Sequence, residues 1–277
     1  MWTREQLKTK AKEVLKTSYW WAFLVCLIFT LIAGIASGNV NTSSFTSSGG
    51  SSGRSSIDVS DYAEDLTPEQ EEALQQIVDS YLSPVAIGMG IAALVISLIV
   101  TVLRAAYTIF VVNPLKVGYD RYFLDQSEGK VNFATLFSGF TGGKYMKRVK
   151  VLAFQYLYLF LWTLLFVIPG IIKSYSYFLI PYILADNPDI SKDRAFEISM
   201  KTMDGEKWNL FVLQLSFIGW QLLGILACCV GTYFVAPYVQ ATMAEFYFVM
   251  RQKAIQTGIA TPEEFNLSTG IDAGTTI

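Results

Sequence analysis

The sequence predicts an all-α fold, a polytopic membrane helix bundle with about six transmembrane helices and amphipathic helices on the cytoplasmic side. Of its 277 residues, 52% are hydrophobic and 16% are charged, whereas charged residues make up about a quarter of an average soluble domain. Residues 151–185 form an almost unbroken apolar run in which Lys173 is the one fully charged side chain. Acidic and basic residues also fall into separate parts of the chain. Together these three observations indicate a chain that crosses a membrane several times.

The apolar run 151–185 is too long for one straight crossing, because about 20 helical residues already span roughly 30 Å of hydrocarbon. Pro169 and Gly170 lie near its middle, so we interpret it as two short crossings joined by a tight turn at this pair. An interrupted membrane helix can also leave backbone groups free for a substrate, as in transporters. Pro169 and Gly170 are therefore candidate functional residues as well as turn residues. Lys173 follows the break and is either a snorkelling anchor or a contact for an anionic lipid headgroup.

The N-terminal residues 1–19 have the pattern of a cytoplasmic amphipathic helix. Thr3 and Gln6 have the spacing of a capping box. A basic amphipathic helix of this kind lies in the headgroup plane, and a first crossing, 22–36, follows it. A cleavable signal peptide is the alternative, because Gly34-Ile35-Ala36 resembles a cleavage site. The long charged segment before it and the many later crossings favour a retained helix.

The rest of the chain divides into a membrane domain and a tail. We assign residues 20–253 to the six-helix membrane domain and residues 254–277 to a flexible cytoplasmic tail. The loop 38–83 is rich in serine and glycine and then acidic, which is typical of a flexible linker followed by a solvated segment. The remaining crossings are predicted at 84–112, 210–229 and 234–250, and residues 133–140 are predicted to be a re-entrant or interfacial piece.

The distribution of charge gives the topology. With six crossings, the basic segments before 20, around 116–150, at 192–207 and at 251–253 all lie on one side, and the acidic loop 38–83 lies on the other. Positively charged loops stay in the cytoplasm, so we expect a multi-pass protein of the cell (cytoplasmic) membrane with both termini cytoplasmic and the acidic loop outside. Five crossings would place Arg251 and Lys253 outside and break this rule.

Several strings of residues carry a resemblance to a known family. These are NPLKVGYDRYFL at 113–124, LWTLLFVIPGIIKSYSYFLIPYILADNPDIS at 161–191, GEKWNLFVLQLSFIGW at 205–220 and AEFYF at 244–248. The chain resembles the domain of unknown function 975 family of bacterial integral membrane proteins. It is more distantly similar to the membrane domain found beside some glycerophosphodiester phosphodiesterases. The resemblance implies a six-helix bacterial membrane protein, and it supplies no catalytic residue.

Two ionisable residues within predicted crossings are further candidates. Glu245 lies in the sixth predicted crossing and Arg104 in the second, toward its cytoplasmic end. Intramembrane charges are costly unless they are paired or hydrated, and they often mark functional sites. By depth, Arg104 is the expected partner of Glu245. The pair is either a structural ion pair or part of a gate or headgroup contact.

The sequence argues against the commoner catalytic classes. It contains no histidine, which excludes a Ser-His-Asp triad, and it contains no Walker, dinucleotide-binding, HExxH or CxxC motif. We therefore expect a protein that is not an enzyme, with no cofactor and no metal. It is expected to be an envelope or membrane-complex component in contact with lipid or a partner. The alternative is a small transporter or channel subunit that uses the broken pair 151–185 and Glu245. Expected partners are membrane lipids, with another membrane protein or a second copy as open possibilities and no nucleic acid.

Overall fold

The structure, a computed structural model, describes residues 2–37, 84–141, 143–226 and 230–267. All regular elements in these ranges are helical, which confirms the predicted all-α fold. The predicted loop 38–83 lies outside the described residues. The α-helices are α1 (Arg4–Ser37), α2 (Pro84–Tyr107), α3 (Asn113–Ser127), α4 (Tyr145–Leu165), α5 (Val167–Ser176), α6 (Ile180–Asp186), α7 (Lys192–Thr202), α8 (Lys207–Leu215), α9 (Ile218–Leu226) and α10 (Val230–Gln256). A π-helical turn, Thr108–Val112, joins α2 to α3, and 3-10 helices span Phe133–Phe140 and Pro262–Phe265.

The chain forms two compact units, one of Met1–Ala36 with Tyr107–Ile277 and the other of Ser37–Ala106. In the second unit, the described part is most of α2, whose described side chains up to residue 105 are all exposed. The first unit contains the core and both cavities considered below.

Five helical stretches have the length and apolar composition needed to cross a membrane. The apolar run 151–185 contributes to two of them, as predicted. Exposed apolar side chains on these stretches are those that a membrane protein directs toward lipid. The five stretches are Arg4–Gly34, Gly90–Ser127, Tyr145–Leu165, Val167–Asp186 and Lys207–Leu226.

The predicted sixth crossing, 234–250, lies within α10 but is not among these five. In α10 every residue from 241 to 248 is buried, including Thr242 and Glu245. A helix enclosed by protein on all sides can carry polar groups that a lipid-facing helix would not. This part of α10 therefore lies within the protein interior of the first unit.

The N-terminal helix α1 contains a kink at Ser18, whose φ of −138° and ψ of 25° are not helical. The predicted capping box is present, because Gln6 N donates to Thr3 Oγ1 and Thr3 N donates to Gln6 Oε1. The kink separates the amphipathic part of α1 from its apolar part close to the predicted boundary at residue 19. Gln126 Nε2 donates to Ser18 Oγ over 2.7 Å and attaches the kink to α3.

The break in the run 151–185 lies at Phe166 and not at Pro169-Gly170 as predicted. Phe166 is extended, with φ −156° and ψ 139°, and it separates α4 from α5. Pro169 lies in the first turn of α5, where its missing N–H would have had no helical partner in any case. A Cβ on Gly170 would lie 2.9 Å from Thr163 Cα, so glycine allows α4 and α5 to pack closely after the turn.

Residues 133–140 form a 3-10 helix packed directly on α3. A Cβ added to Gly118 would overlap the carbonyl of Leu136, and one added to Gly139 would overlap the carbonyl of Pro114. Both obstacles are backbone atoms and cannot rotate away. These two glycines therefore fix the contact between the 3-10 helix and α3.

Asp186 connects three helices at one end of the first unit. Its carboxylate accepts hydrogen bonds from Arg121 of α3 and from Tyr247 and Arg251 of α10, at 2.7 to 3.0 Å. Its backbone carbonyl accepts a hydrogen bond from Asn266. The carboxylate is almost fully buried, so these donors replace the water that it loses.

The predicted flexible tail 254–277 is folded as far as residue 267. Phe265 and Ala260 are buried, and Arg194 of α7 pairs with Glu264 over 2.6 and 2.9 Å. The sequence is polar enough to suggest a solvated tail, but one aromatic side chain and one ion pair attach it to α7. Residues 268–277 lie outside the described residues.

Alanine at Gly118 or Gly139 is expected to destabilise the protein by about 2 kcal/mol or more, because the added methyl group meets backbone that must move. The measurement is thermal unfolding of the detergent-purified chain. Gly219→Ala is the matched control. Gly219 lies on α9, and nothing lies within 4 Å of a Cβ added there. Equal unfolding temperatures for Gly118→Ala and Gly219→Ala would contradict the packing described.

The attachment of residues 257–267 is expected to depend on pH. The hydrogen bonds from Arg194 lower the pKa of Glu264 below its ordinary value. A carboxylate with a lowered pKa contributes stability above its unfolded pKa of about 4.3 and loses it as the pH falls through the folded value. Hydrogen exchange in 257–267, corrected for intrinsic rates, should therefore rise selectively below about pH 4. Glu264→Gln should show fast exchange already at neutral pH, whereas Glu263→Gln, at an exposed neighbour, should not.

Candidate functional site

A cavity of about 640 Å³ lies among α3, α4, α5, α6, α8, α9 and α10 of the first unit. Its volume falls in the range of small-molecule pockets, about 300–1,000 Å³. The wall combines apolar and aromatic side chains with a set of amides, hydroxyls and one lysine. The polar members are Asn113, Lys116, Gln155, Tyr156, Ser174, Tyr175, Tyr182, Gln214, Gln221 and Gln240.

Two amide groups on this wall each have one buried atom without a hydrogen-bond partner among the described residues. Asn113 is 2% exposed, and its Nδ2 has no hydrogen-bond acceptor. Gln155 donates through Nε2 to the carbonyl of Tyr177, but its Oε1 has no donor. An unpaired buried polar group costs about 1–3 kcal/mol. Both residues line the cavity, so one unpaired donor and one unpaired acceptor lie within its wall.

Other polar groups on the wall are held in place by the protein. Tyr175 donates its hydroxyl to Gln214 Oε1 over 3.0 Å and links α5 to α8. Ser174 Oγ donates to the carbonyl of Ile171 within its own helix. These bonds give the wall a fixed shape, so the unpaired amides of Asn113 and Gln155 are positioned before any ligand arrives.

Lys116 supplies the positive charge on the wall, and the protein already neutralises it. Its Nζ pairs with Asp120, which is fully buried one turn along α3. The same ammonium lies 5.3 Å from the ring centroid of Tyr119 and 5.6 Å from that of Tyr182. The pair makes the wall close to neutral, which suits hydrogen-bonding ligands better than strongly anionic ones.

The exposed rim of the cavity is only partly apolar, because exposed Ser174 and Gln221 also line it. Leu215 and Ile218 are 48% and 44% exposed, and Tyr156 is also exposed. All three belong to helices with the composition of membrane crossings. The rim therefore lies where such helices would meet lipid tails.

The comparisons with known proteins find one family. Residues 163–254 match the family model described as Protein of unknown function (DUF975). The match supports the resemblance to that family over this segment, which is about a third of the chain. No curated protein and no solved structure matches the chain. The distant likeness to the membrane domain of glycerophosphodiester phosphodiesterases stays a prediction.

Four of the five candidate residues lie in the segment that matches DUF975, namely Pro169, Gly170, Lys173 and Glu245. None of these four, and not the fifth candidate Arg104, is among the described residues that line the cavity. The ammonium of Lys173 lies 5.1 Å from the ring centroid of Trp162, across the α4–α5 turn. This contact is typical of a side chain that stabilises the turn.

Glu245, also in the DUF975 segment, has a different partner from the one expected. It is 1% exposed, and its Oε2 lies 3.1 Å from Lys10 Nζ of α1. Arg104 lies in the last turn of α2, in the other compact unit. Matching by depth missed Lys10, because the amphipathic part of α1 packs along α10. Trp2 confirms this packing, since its ring lies 5.3 Å from that of Phe246.

Sequence reasoning did not single out Asn113 or Gln155, the two residues with unpaired amides. The available signal was their position, because Gln155, Gln214, Gln221 and Gln240 all lie within apolar stretches that contain few other polar groups. Amides in such stretches bear no charge and therefore attract less attention than Glu245. Their convergence on one cavity depends on how seven helices pack, which the sequence pattern does not specify.

Lys10→Gln is expected to destabilise the protein by about 2 kcal/mol, because it leaves the buried carboxylate of Glu245 without its cation. Glu245→Gln should cost less, since Lys10 is 39% exposed and its ammonium can turn to water. The double variant should recover much of the loss. Chemical unfolding in detergent measures all three.

Lys16→Gln is the matched control on the same helix, because its side chain is exposed. If Lys10→Gln and Lys16→Gln unfold alike, the ion pair contributes nothing and the assignment of Lys10 as the partner of Glu245 is wrong.

Proposed function

We propose that the protein is a non-enzymatic component of the bacterial cytoplasmic membrane that binds a lipid or lipid-like amphiphile in the cavity of the first unit. One observation carries the proposal. Among the described residues, the cavity wall has an unpaired buried donor, Asn113 Nδ2, and an unpaired buried acceptor, Gln155 Oε1, and part of its exposed rim, Leu215 and Ile218, is apolar. An amphiphile has polar groups that can bind the two amides and an apolar chain that can contact the apolar part of the rim.

The class of ligand follows from the chemistry of the wall. Buried amides select ligands that both donate and accept hydrogen bonds, because a ligand lacking those groups leaves the amides unpaired. The Lys116–Asp120 pair leaves little net charge to attract an anion. The best match is an apolar molecule with an uncharged or zwitterionic headgroup that carries hydroxyl or amide groups.

The same wall supports binding over catalysis. Amides and phenols are poor general acids and bases near neutral pH, and the lysine is already paired with Asp120. These groups orient a ligand without taking its protons. The proposal is therefore a binding role.

The proposed topology is multi-pass, with α10 as the sixth crossing and both termini in the cytoplasm. Two contacts support termini on one side: Lys10 of α1 pairs with Glu245 of α10, and Lys253 pairs with Glu206 just before α8. The basic residues near both ends then fall together, as the positive-inside rule requires.

Transport or channel activity is the alternative, and it has partial support. The broken segment 151–185 contributes Leu152, Gln155 and Tyr182 to the wall. Glu245, which this alternative also uses, is paired with Lys10 and is not among the described lining residues. Binding alone accounts for more of the geometry.

Filling the cavity should release the ligand. In Ser174→Phe a bulky ring replaces a small side chain of the wall. We expect at least a tenfold loss of the lipid that each protein molecule retains after purification in mild detergent. A tenfold loss is equivalent to about 1.4 kcal/mol. Asn113→Leu should give a smaller loss, because it removes only the amide group and keeps a branched side chain of similar shape. Native mass spectrometry with lipid identification measures both.

Ser97→Phe is the matched control, because Ser97 is an exposed serine on α2 and is not among the described residues that line the cavity. If Ser174→Phe and Ser97→Phe retain the same lipid in the same amount, the cavity is not the binding site and the proposed function fails.

A further inference from the structure

A second cavity, of about 460 Å³, lies beside Asp186 and is rich in basic side chains. Three arginines and a lysine line it, against two carboxylates. The basic residues come from α3, α4, α10 and the turn after α3. The charged lining residues are Arg121, Arg148, Arg251, Lys130, Glu128 and Asp186.

The basic groups exceed the acidic groups that neutralise them. Arg121 and Arg251 share the single carboxylate of Asp186. Arg121 also pairs with Asp125, which lies outside the wall, and Lys130 pairs with Glu128. When Asp125 is counted, three basic side chains are paired with three carboxylates. The positive charge of Arg148 remains in excess.

Arg148 is the unusual member of this wall. It is 7% exposed, and its Nη1 donates to the backbone carbonyls of Ser138, Gly139 and Thr141. Its Nε is buried and has no hydrogen-bond partner among the residues that the structure describes. The carbonyl bonds hold the guanidinium in place but do not neutralise it. A buried guanidinium with an unused N–H is a group that an anion would satisfy.

We infer that this second cavity binds a phosphate-class anion, held by Arg148 and Arg121 with Lys130 at its edge. Guanidinium groups bind tetrahedral oxyanions through paired N–H donors, which gives them geometric selectivity for phosphate. Ser138 and Thr141 add hydroxyl-bearing residues to the wall. The anion can be a free phosphate compound or the phosphate of a lipid headgroup, because the recognition chemistry is the same.

This site is independent of the proposed lipid cavity. The two cavities share no lining residue, and they differ in charge: the first is close to neutral and the second is basic. Ser174→Phe should therefore abolish lipid retention in the first cavity and leave anion binding in the second unchanged.

The test uses the full chain in detergent and two probes. The first probe is inorganic phosphate, titrated against chloride at equal ionic strength, with the unfolding temperature as the readout. The second is phosphatidylglycerol retained through purification, detected by native mass spectrometry. The variants are Arg121→Gln and Lys130→Gln. Asp186 keeps Arg251 and Tyr247 as partners in Arg121→Gln, so the helices remain joined.

Lys201→Gln is the matched control, because Lys201 forms a surface pair with Glu197 much as Lys130 does with Glu128, but away from the cavity. We expect Arg121→Gln to weaken phosphate binding about tenfold or more and Lys201→Gln to leave it within about twofold.

A phosphate-specific stabilisation that Arg121→Gln removes would support a site for free phosphate compounds. Retained phosphatidylglycerol that Arg121→Gln releases, without an effect of inorganic phosphate, would support a lipid headgroup. If neither probe binds, or if binding survives both Arg121→Gln and Lys130→Gln, the inference is overturned.

Discussion

The buried carboxylate of Asp186 is the interaction on which the first unit depends. It lies at the end of α6 and takes hydrogen bonds from α3 and α10, and its backbone carbonyl holds the segment that follows α10. An unpaired carboxylate in this position would cost several kcal/mol, so the three helices must converge here. Because α6 also supplies Tyr182 to the first cavity and Asp186 to the second, this convergence sets the position of both.

The sequence was sufficient for local features and for the fold class. The capping box of Thr3 and Gln6 follows from spacing alone, and the all-α class follows from hydropathy. The break at Phe166 could not be predicted, because a proline-glycine pair is the stronger local signal and proline is tolerated in a first helical turn. The partner of Glu245 and the folded segment up to residue 267 depend on contacts between residues far apart in the chain. The unpaired amides of Asn113 and Gln155 were hidden for the same reason.

The two cavities show how one bundle can recognise two kinds of chemical group. In the first, a lysine is neutralised by a carboxylate one turn away, and uncharged amides remain available. In the second, two arginines share one carboxylate and a third is bonded to carbonyl oxygens that cannot cancel its charge. Selectivity between neutral and anionic ligands then depends on where the carboxylates lie, because both cavities contain basic side chains.

The ion pair between Lys10 and Glu245 also constrains the order in which the protein can be assembled. A chain made from its N-terminus presents Lys10 to the membrane long before Glu245 has been synthesised. Until α10 is in place, Lys10 has no Glu245 carboxylate with which to pair. The apolar face of the amphipathic part of α1, with Leu7, Ala11 and Leu15, also lacks its final packing partner. The membrane surface suits such a helix in the meantime. Docking of α1 on α10 is then a late step, and it brings these two helices together only after the segments between them have been synthesised.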